Sequence, residues 1–325
     1  MRLSILILLL TTTICFGQNH EKYAACTKQA EKLYDLNEFQ NSADKYKEAF
    51  DLIDGKASSS SDRYNAACSY ALAKDVESSF SHLFRLAKSR AKYNKYGHIS
   101  IDTDLNILHQ DERWEELLAI VKVNKDEAEK DFDKPLMVKL DSIHDKDQKC
   151  RGELRKITEK FGRQSDELKA HWKIILEKDS INLVKVEKIL DERGWLGSNV
   201  IGGQGNMTLF LVIQHSDLET QVKYLPMMHE AVKKGNARAS NLALLEDRVA
   251  LRQGKRQIYG SQIHSDKETG EMYVAPLIDP ENVDKRRAEV GLGKLAEYVS
   301  NWKLIWDVEK HKARTAKIEA VKKVQ

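Results

Sequence analysis

The chain reads as mainly α: a helical-repeat module comes first, then a mostly helical domain that carries one β-hairpin. Three observations predict this. Two helix-pair patterns with small residues on their faces recur between about 21 and 124. Apolar stripes at spacings of three and four, stopped by glycines, dominate after Pro135. One stretch, 257–277, has strand-like segments either side of a turn and reads as the hairpin.

At the start, Arg2 precedes the apolar run Leu3–Leu10, and small or polar residues lead to Cys15-Phe16-Gly17. That order is a secretory leader, so cleavage is expected after Gly17 and the mature chain is expected to be periplasmic or secreted. The run is shorter than the roughly 20 apolar residues a bilayer span needs, and no later segment reaches that length. Ile14 just before Cys15 disfavours lipid anchoring there. The remaining cysteines, Cys26, Cys68 and Cys150, form an odd set that argues against a disulfide framework.

The formal charge of +3 conceals an asymmetry. Arg2 contributes one unit, and the tail 309–325 contributes four, with six Lys or Arg against two Glu. The body 18–308 is therefore at −2, which is not a nucleic-acid footprint.

Residues 18–123 carry the repeats. Cys26, Ala30 and Leu33 mark one helix face, and Phe39, Ser42, Tyr46 and Ala49 mark a second after the break at Asn37-Glu38. The next copy runs Tyr64, Ala67, Cys68, Ala71, then Ser79, Leu83 and Leu86, after an insert at 55–61. A partial third unit holds Leu105, Leu108, Trp114, Leu117 and Val121. FQNSADKYKEAFDL and YNAACSYALAKD resemble helices of the tetratricopeptide repeat family, which implies a scaffold for a protein partner.

A charged segment, 124–135, is expected to link this module to a domain spanning 136–308. In that domain helices are expected at 136–161, at 165–178 and from 179 to the Gly194 stop. The glycine-rich stretch 197–205 (GSNVIGGQG) reads as a loop; it lacks the Lys-Ser/Thr ending of a phosphate loop. Residues 207–213 are apolar on every side, so helix and strand both remain open. Ser216 with Glu219 spells a capping box for a helix to about Lys234, which Pro226 should bend, and another helix covers 239–253. Asp279-Pro280 opens a last helical region, and the basic tail 309–325 is expected to be a solvated helix end.

Candidate site residues fall in three short groups. Arg248 lies inside an apolar arc between Leu244, Leu245, Val249 and Leu251, where an unpaired guanidinium costs several kcal/mol, so it needs a carboxylate, carbonyls or an anionic ligand. His215 ends the most apolar segment and suits a general base or, more plainly, a buried histidine joining two elements. Asp247 adjoins Arg248, and Gln214 and Asp217 flank His215. In the hairpin, alternation puts Tyr259 and Ser261 on one face and Gly260 and Gln262 on the other, where the Gln262 amide can face a ligand. His215, His229 and His264 show no ligand spacing, so no metal or cofactor is expected.

The groups Gln214–Asp217, Asp247-Arg248, Tyr259–Gln262 and Asp279-Pro280 with Arg286-Arg287 and Gly291-Leu292 resemble the motifs of a bacterial family of unknown function. The resemblance implies one domain holding all of them and carries no activity. Two functions compete. In the first, the protein is an exported scaffold whose second domain binds an extracytoplasmic glycan, peptide or protein. In the other, it is a hydrolase with His215 as base, Arg248 stabilising an anion and Asp247 or Gln262 orienting substrate.

Overall fold

The computed structural model describes residues 2–54, 58–266 and 269–324, with backbone alone for 2–18 and 321–324. The fold is mainly α with one two-stranded antiparallel sheet, and the chain divides into two compact units, 1–130 and 131–325. The side chains of the expected leader, 1–17, lie outside those described.

In the first unit α1 (Arg2–Asp35) pairs with α2 (Phe39–Leu52), and α3 (Ser60–Leu72) with α4 (Val76–Lys88). Small residues at the crossings, Ala30 against Ala43 and Ala67 beside Ser79, let the backbones approach closely. The two pairs are copies at an offset of 37 residues. Ser42 Oγ donates to the Ala30 carbonyl and Ser79 Oγ to the Ala67 carbonyl, both at 2.8 Å. Asn37 and Lys74, at the same offset, both take the left-handed conformation that turns the chain between paired helices. The third unit is incomplete: a four-residue α5 (Tyr96–Ile99) and a 3-10 segment, Thr103–Gln110, stand where a long first helix would be. Its second helix, α6 (Arg113–Ala128), covers the first half of the expected linker. Asn124 explains why, because its buried amide donates to the Ala87 and Tyr93 carbonyls and fixes that turn.

The second unit begins with α7 (Lys134–Phe161), capped by Asp133, and α8 (Asp166–Arg193), capped by Ser165. Helix α8 is continuous where two helices are expected. Ser180 Oγ bonds back to the Leu176 carbonyl at 3.0 Å and Asp179 is engaged across the helix pair, so neither breaks the helix. Helix α9 (Ser198–His215) follows, and settles 207–213 as helix. It also takes in most of the expected glycine loop. Gly202 alone leaves helical geometry, at φ +69°, and gives the kink. Gly205 is needed for approach: a Cβ there would stand 3.1 Å from Leu140 of α7.

Helices α10 (Leu218–Lys233), with Pro226 inside, and α11 (Ala239–Arg252) close the main core. Leu140, Ile143, Val186, Leu209, Ile213, Met228 and Leu245 meet there, each contributing about 1.5–3 kcal/mol on burial. The cap of α10 is Asp217, accepting from Thr220 N at 2.8 Å, and not the expected Ser216. Ser216 Oγ is turned back onto the Ile213 carbonyl at 2.7 Å.

The hairpin is shorter than expected, with β1 (Ile263–Ser265) paired to β2 (Met272–Val274). A 3-10 turn at Pro280–Asn282 leads to α12 (Val283–Glu289), α13 (Leu295–Ser300) and α14 (Val308–Val324), and Val274, Leu277, Val283, Leu295 and Val299 form a second, smaller core. The basic tail is a helix, mostly exposed, with His311 and Thr315 buried on its inner face. In α14, Glu319 takes a two-pronged ion pair from Arg256, and Arg314 and Lys312 pair with Glu271 and Glu281.

Candidate functional site

His215 is the last residue of α9, a position where the helix leaves carbonyls without intrahelical donors. Side chains of other elements supply those donors. Gln221 Nε2 reaches the Gln214 carbonyl at 2.9 Å and, at 3.3 Å, those of Ile213 and Ser216. Arg248 Nη1 donates to the Gln214 carbonyl at 3.0 Å, and Arg252 Nη1 to the Ser216 carbonyl at 2.7 Å. His215 is thus flanked by two carbonyls that each hold a guanidinium.

The imidazole is oriented from α7. His215 Nδ1 lies 3.0 Å from Asp147 Oδ1, on a carboxylate only 2% exposed. Gln148 Nε2 donates to the other oxygen of Asp147 at 2.6 Å. Arg151, one turn on, reaches Asp147 Oδ1 at 3.0 Å and holds both oxygens of Asp179 on α8, at 2.9 and 2.7 Å. Burial pushes the Asp147 carboxyl up, but the bond from and attraction to His215, the positive charge of Arg151 and the Gln148 amide outweigh it, and it rests below its ordinary value. Among the described residues His215 Nε2 has no hydrogen-bond partner.

Ligand atoms of Asp147, Asp179 and His215 lie within 4.8 Å of one another, a spacing that suits a cation. Arg151 already sits between the two carboxylates and neutralises them, so the geometry is that of a charge network around an arginine.

Among the described residues Arg248 has no carboxylate partner. Its Nε is buried without any hydrogen bond, and burial, reinforced by Arg252 and Arg151, lowers the guanidinium below its ordinary value. The side-chain oxygen of Gln214 is also buried and unpartnered, while its Nε2 stands 3.4 Å from the Leu244 carbonyl.

The other predicted residues belong to a separate construction. Asp247 is 0% exposed, and its Oδ1 accepts from the amides of Ile258 at 2.6 Å and Tyr259 at 2.9 Å, its Oδ2 from Ser261 at 2.9 Å. With those amides drawn to one carboxylate, 257–262 cannot run as the expected strand. The carbonyls are held as well: Arg286 Nε donates to Ile258, Arg287 Nη1 to Tyr259, Tyr298 Oη to Ser261 and Gln257 Nε2 to Gln262. Gly260, at φ +73°, provides the turn, and a Cβ on it would meet Leu295 at 3.1 Å. The loop hangs on side chains at nearly every peptide.

From it Tyr259 projects beside the half-buried Glu246, and burial with that carboxylate pushes its phenol up to about 12. Burial raises the Glu246 carboxyl too, and His229 Nε2 lies 3.3 Å from it. The Gln262 amide is spent on Ser261 Oγ at 3.0 Å, and no hydrogen bond joins it to His215 or Arg248.

The structure therefore brings Gln214, His215 and Arg248 together, and uses Asp217 as a helix cap and Asp247 as a loop anchor. Asp147, Arg151 and Asp179 escaped sequence reasoning. Asp147 carried a signal: it stands in the stripe Leu136, Leu140, Ile143, Asp147, Cys150, where an apolar residue is due.

The family of unknown function DUF6624 matches residues 136–311, a segment that holds every residue of this site. No curated protein and no solved structure matches the chain.

Proposed function

The chain belongs to the family of unknown function DUF6624, and we propose that its family domain binds an anionic ligand at the His215–Arg248 end of α9. The observation that carries this reading is Arg248: a largely desolvated guanidinium with, among the described residues, no carboxylate partner and an unpartnered Nε. Such a group is costly unless an anion completes it. His215, whose Nδ1 is held by Asp147, and Arg252, bonded to the Ser216 carbonyl, add donors at the same end of α9. A carboxylate or phosphate group, as on an acidic glycan or peptide, fits that donor set. We further read the first unit as a tetratricopeptide-like scaffold for a protein partner, supported by its duplicated helix pairs, and the chain as exported, supported by the charge and apolar order of 1–17.

The test is calorimetric titration of the protein with inorganic phosphate, a uronic acid and a diglutamyl peptide. Binding of one of them, weakened at least tenfold by both Arg248→Met and His215→Ala in folded protein, supports the reading. Binding that ignores both substitutions, or no binding by any of the three, sinks it.

The Asp147–His215 bond favours a second reading, hydrolysis with His215 as general base, because a carboxylate on Nδ1 fixes Nε2 for proton abstraction. Ser216 Oγ is engaged with Ile213 and Ser261 Oγ with Gln262, so water is the nucleophile in this scheme. A turnover screen of the protein on glycan and peptide esters decides it. Activity must fall with both His215→Ala and Asp147→Asn.

A further inference from the structure

Between α7 and α8 a lysine ammonium is set directly against a buried cysteine sulfur. Cys150 is 5% exposed and has no disulfide partner. Its Sγ lies 3.6 Å from the Lys146 carbonyl of the preceding turn, and Lys178 Nζ stands 2.6 Å from that same sulfur.

Lys178 supplies the second observation. It is half-buried, it has no carboxylate partner, and the Cys150 sulfur is its one hydrogen-bond partner among the described residues. Its neighbour Asp179 is already bound through both oxygens by Arg151. A half-buried lysine without a counter-ion, set against a buried thiol, is a placement that charge pairing does not explain. Lys178 also lines an open cavity of about 540 Å³ with Lys146, Lys149, Ile174 and Ile181, so the lysine half of the pair borders open space.

We propose that Cys150 and Lys178 form a covalent sulfur–nitrogen cross-link on exposure to hydrogen peroxide. In the first step the thiol sulfur takes one peroxide oxygen, the O–O bond breaks, and the thiol proton leaves with the other oxygen as water. Sulfur is oxidised by two electrons to the sulfenic acid and the peroxide is reduced. Nζ then attacks the sulfur, the S–N bond forms, and the S–O bond breaks with loss of water; the surplus ammonium proton goes to solvent. The attacking atom stands in contact with the sulfur beforehand, so this step precedes further oxidation to the sulfinic acid. The product ties α7 to α8 one turn from Asp147 and next to Asp179, and depends on neither reading of the His215 site.

The experiment is peptide mapping by mass spectrometry of the full chain after peroxide treatment under native conditions. The expected result is a joined pair of peptides holding Cys150 and Lys178, about 2 Da lighter than their sum and separated again by a thiol reductant. Lys178→Arg abolishes the joined pair and raises the sulfinic acid at Cys150 several-fold. Two results overturn the proposal: Cys150 in the wild-type chain oxidised to sulfinic acid with the Lys178 peptide separate, or both peptides unmodified at doses that oxidise the half-buried Met137 and Met272.

Discussion

Replacing Asp247 tests the account of the 257–262 loop most directly. The carboxylate is fully buried and accepts three backbone amides. A hydrogen bond to a charged group contributes about 1.5–3 kcal/mol, and a buried amide left without an acceptor costs a comparable amount. Asp247→Ala strips all three, a loss of roughly 4–9 kcal/mol, which is comparable with the whole stability of about 5–15 kcal/mol of an ordinary domain. Asp247→Asn is gentler: Oδ1 keeps Ile258 and Tyr259, but the new NH2 group faces the Ser261 amide, donor against donor. The expected cost is about 2–4 kcal/mol. Urea unfolding followed by tryptophan fluorescence reads the second unit, because Trp172, Trp195, Trp302 and Trp306 lie in it. Amide exchange at 258, 259 and 261 should accelerate in the Asn variant before the core opens. If Asp247→Asn unfolds within about 0.5 kcal/mol of the wild type with those amides still protected, the loop is held by something else and the reasoning fails.

Other perturbations reach other parts of the fold. Gly202→Ala places a side chain at φ +69° and should destabilise the second unit by about 1–2 kcal/mol in the same urea assay; the flexible Met137 end, 3.2 Å from the new Cβ, can yield. In the first unit His82 is held down at about 4 against an ordinary 6.5 by burial and by the Arg63 and Arg85 charges. Unfolding frees it to bind a proton, so that unit should lose stability as pH falls from 6.5 to 4, and His82→Gln should flatten the slope of the urea midpoint, read from Trp114.

The helix pairs, the Gly194 stop and the Asp217–Lys233 element were legible because local rules produce them: periodicity, caps and glycine termini. The glycines of 197–205 misled because a glycine read alone signals a turn. At Gly205 it answers to Leu140, sixty-five residues away in sequence. The 257–262 segment misled for a related reason. Its alternation is real, but its amides are claimed by Asp247 and its carbonyls by Arg286, Arg287 and Tyr298, none of which the segment itself reveals. His215 and Arg248 could be singled out because each breaks an apolar pattern. Their relation could not, since it runs through the Gln214 carbonyl, and main-chain acceptors leave no mark in composition.

The wiring of that loop also bears on the order in which the domain can be completed during synthesis. Asp247 precedes the loop, whereas Arg286, Arg287 and Tyr298 follow it by up to 37 residues. On the ribosome the loop's amides can be collected as soon as it emerges, but its carbonyls must wait for α12 and α13. Until then the buried Asp247 charge has no Arg287 to balance it. A nascent or C-terminally shortened chain ending before Tyr298 therefore carries a half-closed clasp, exposed to proteases and chaperones, and the last forty residues of the domain act as its latch.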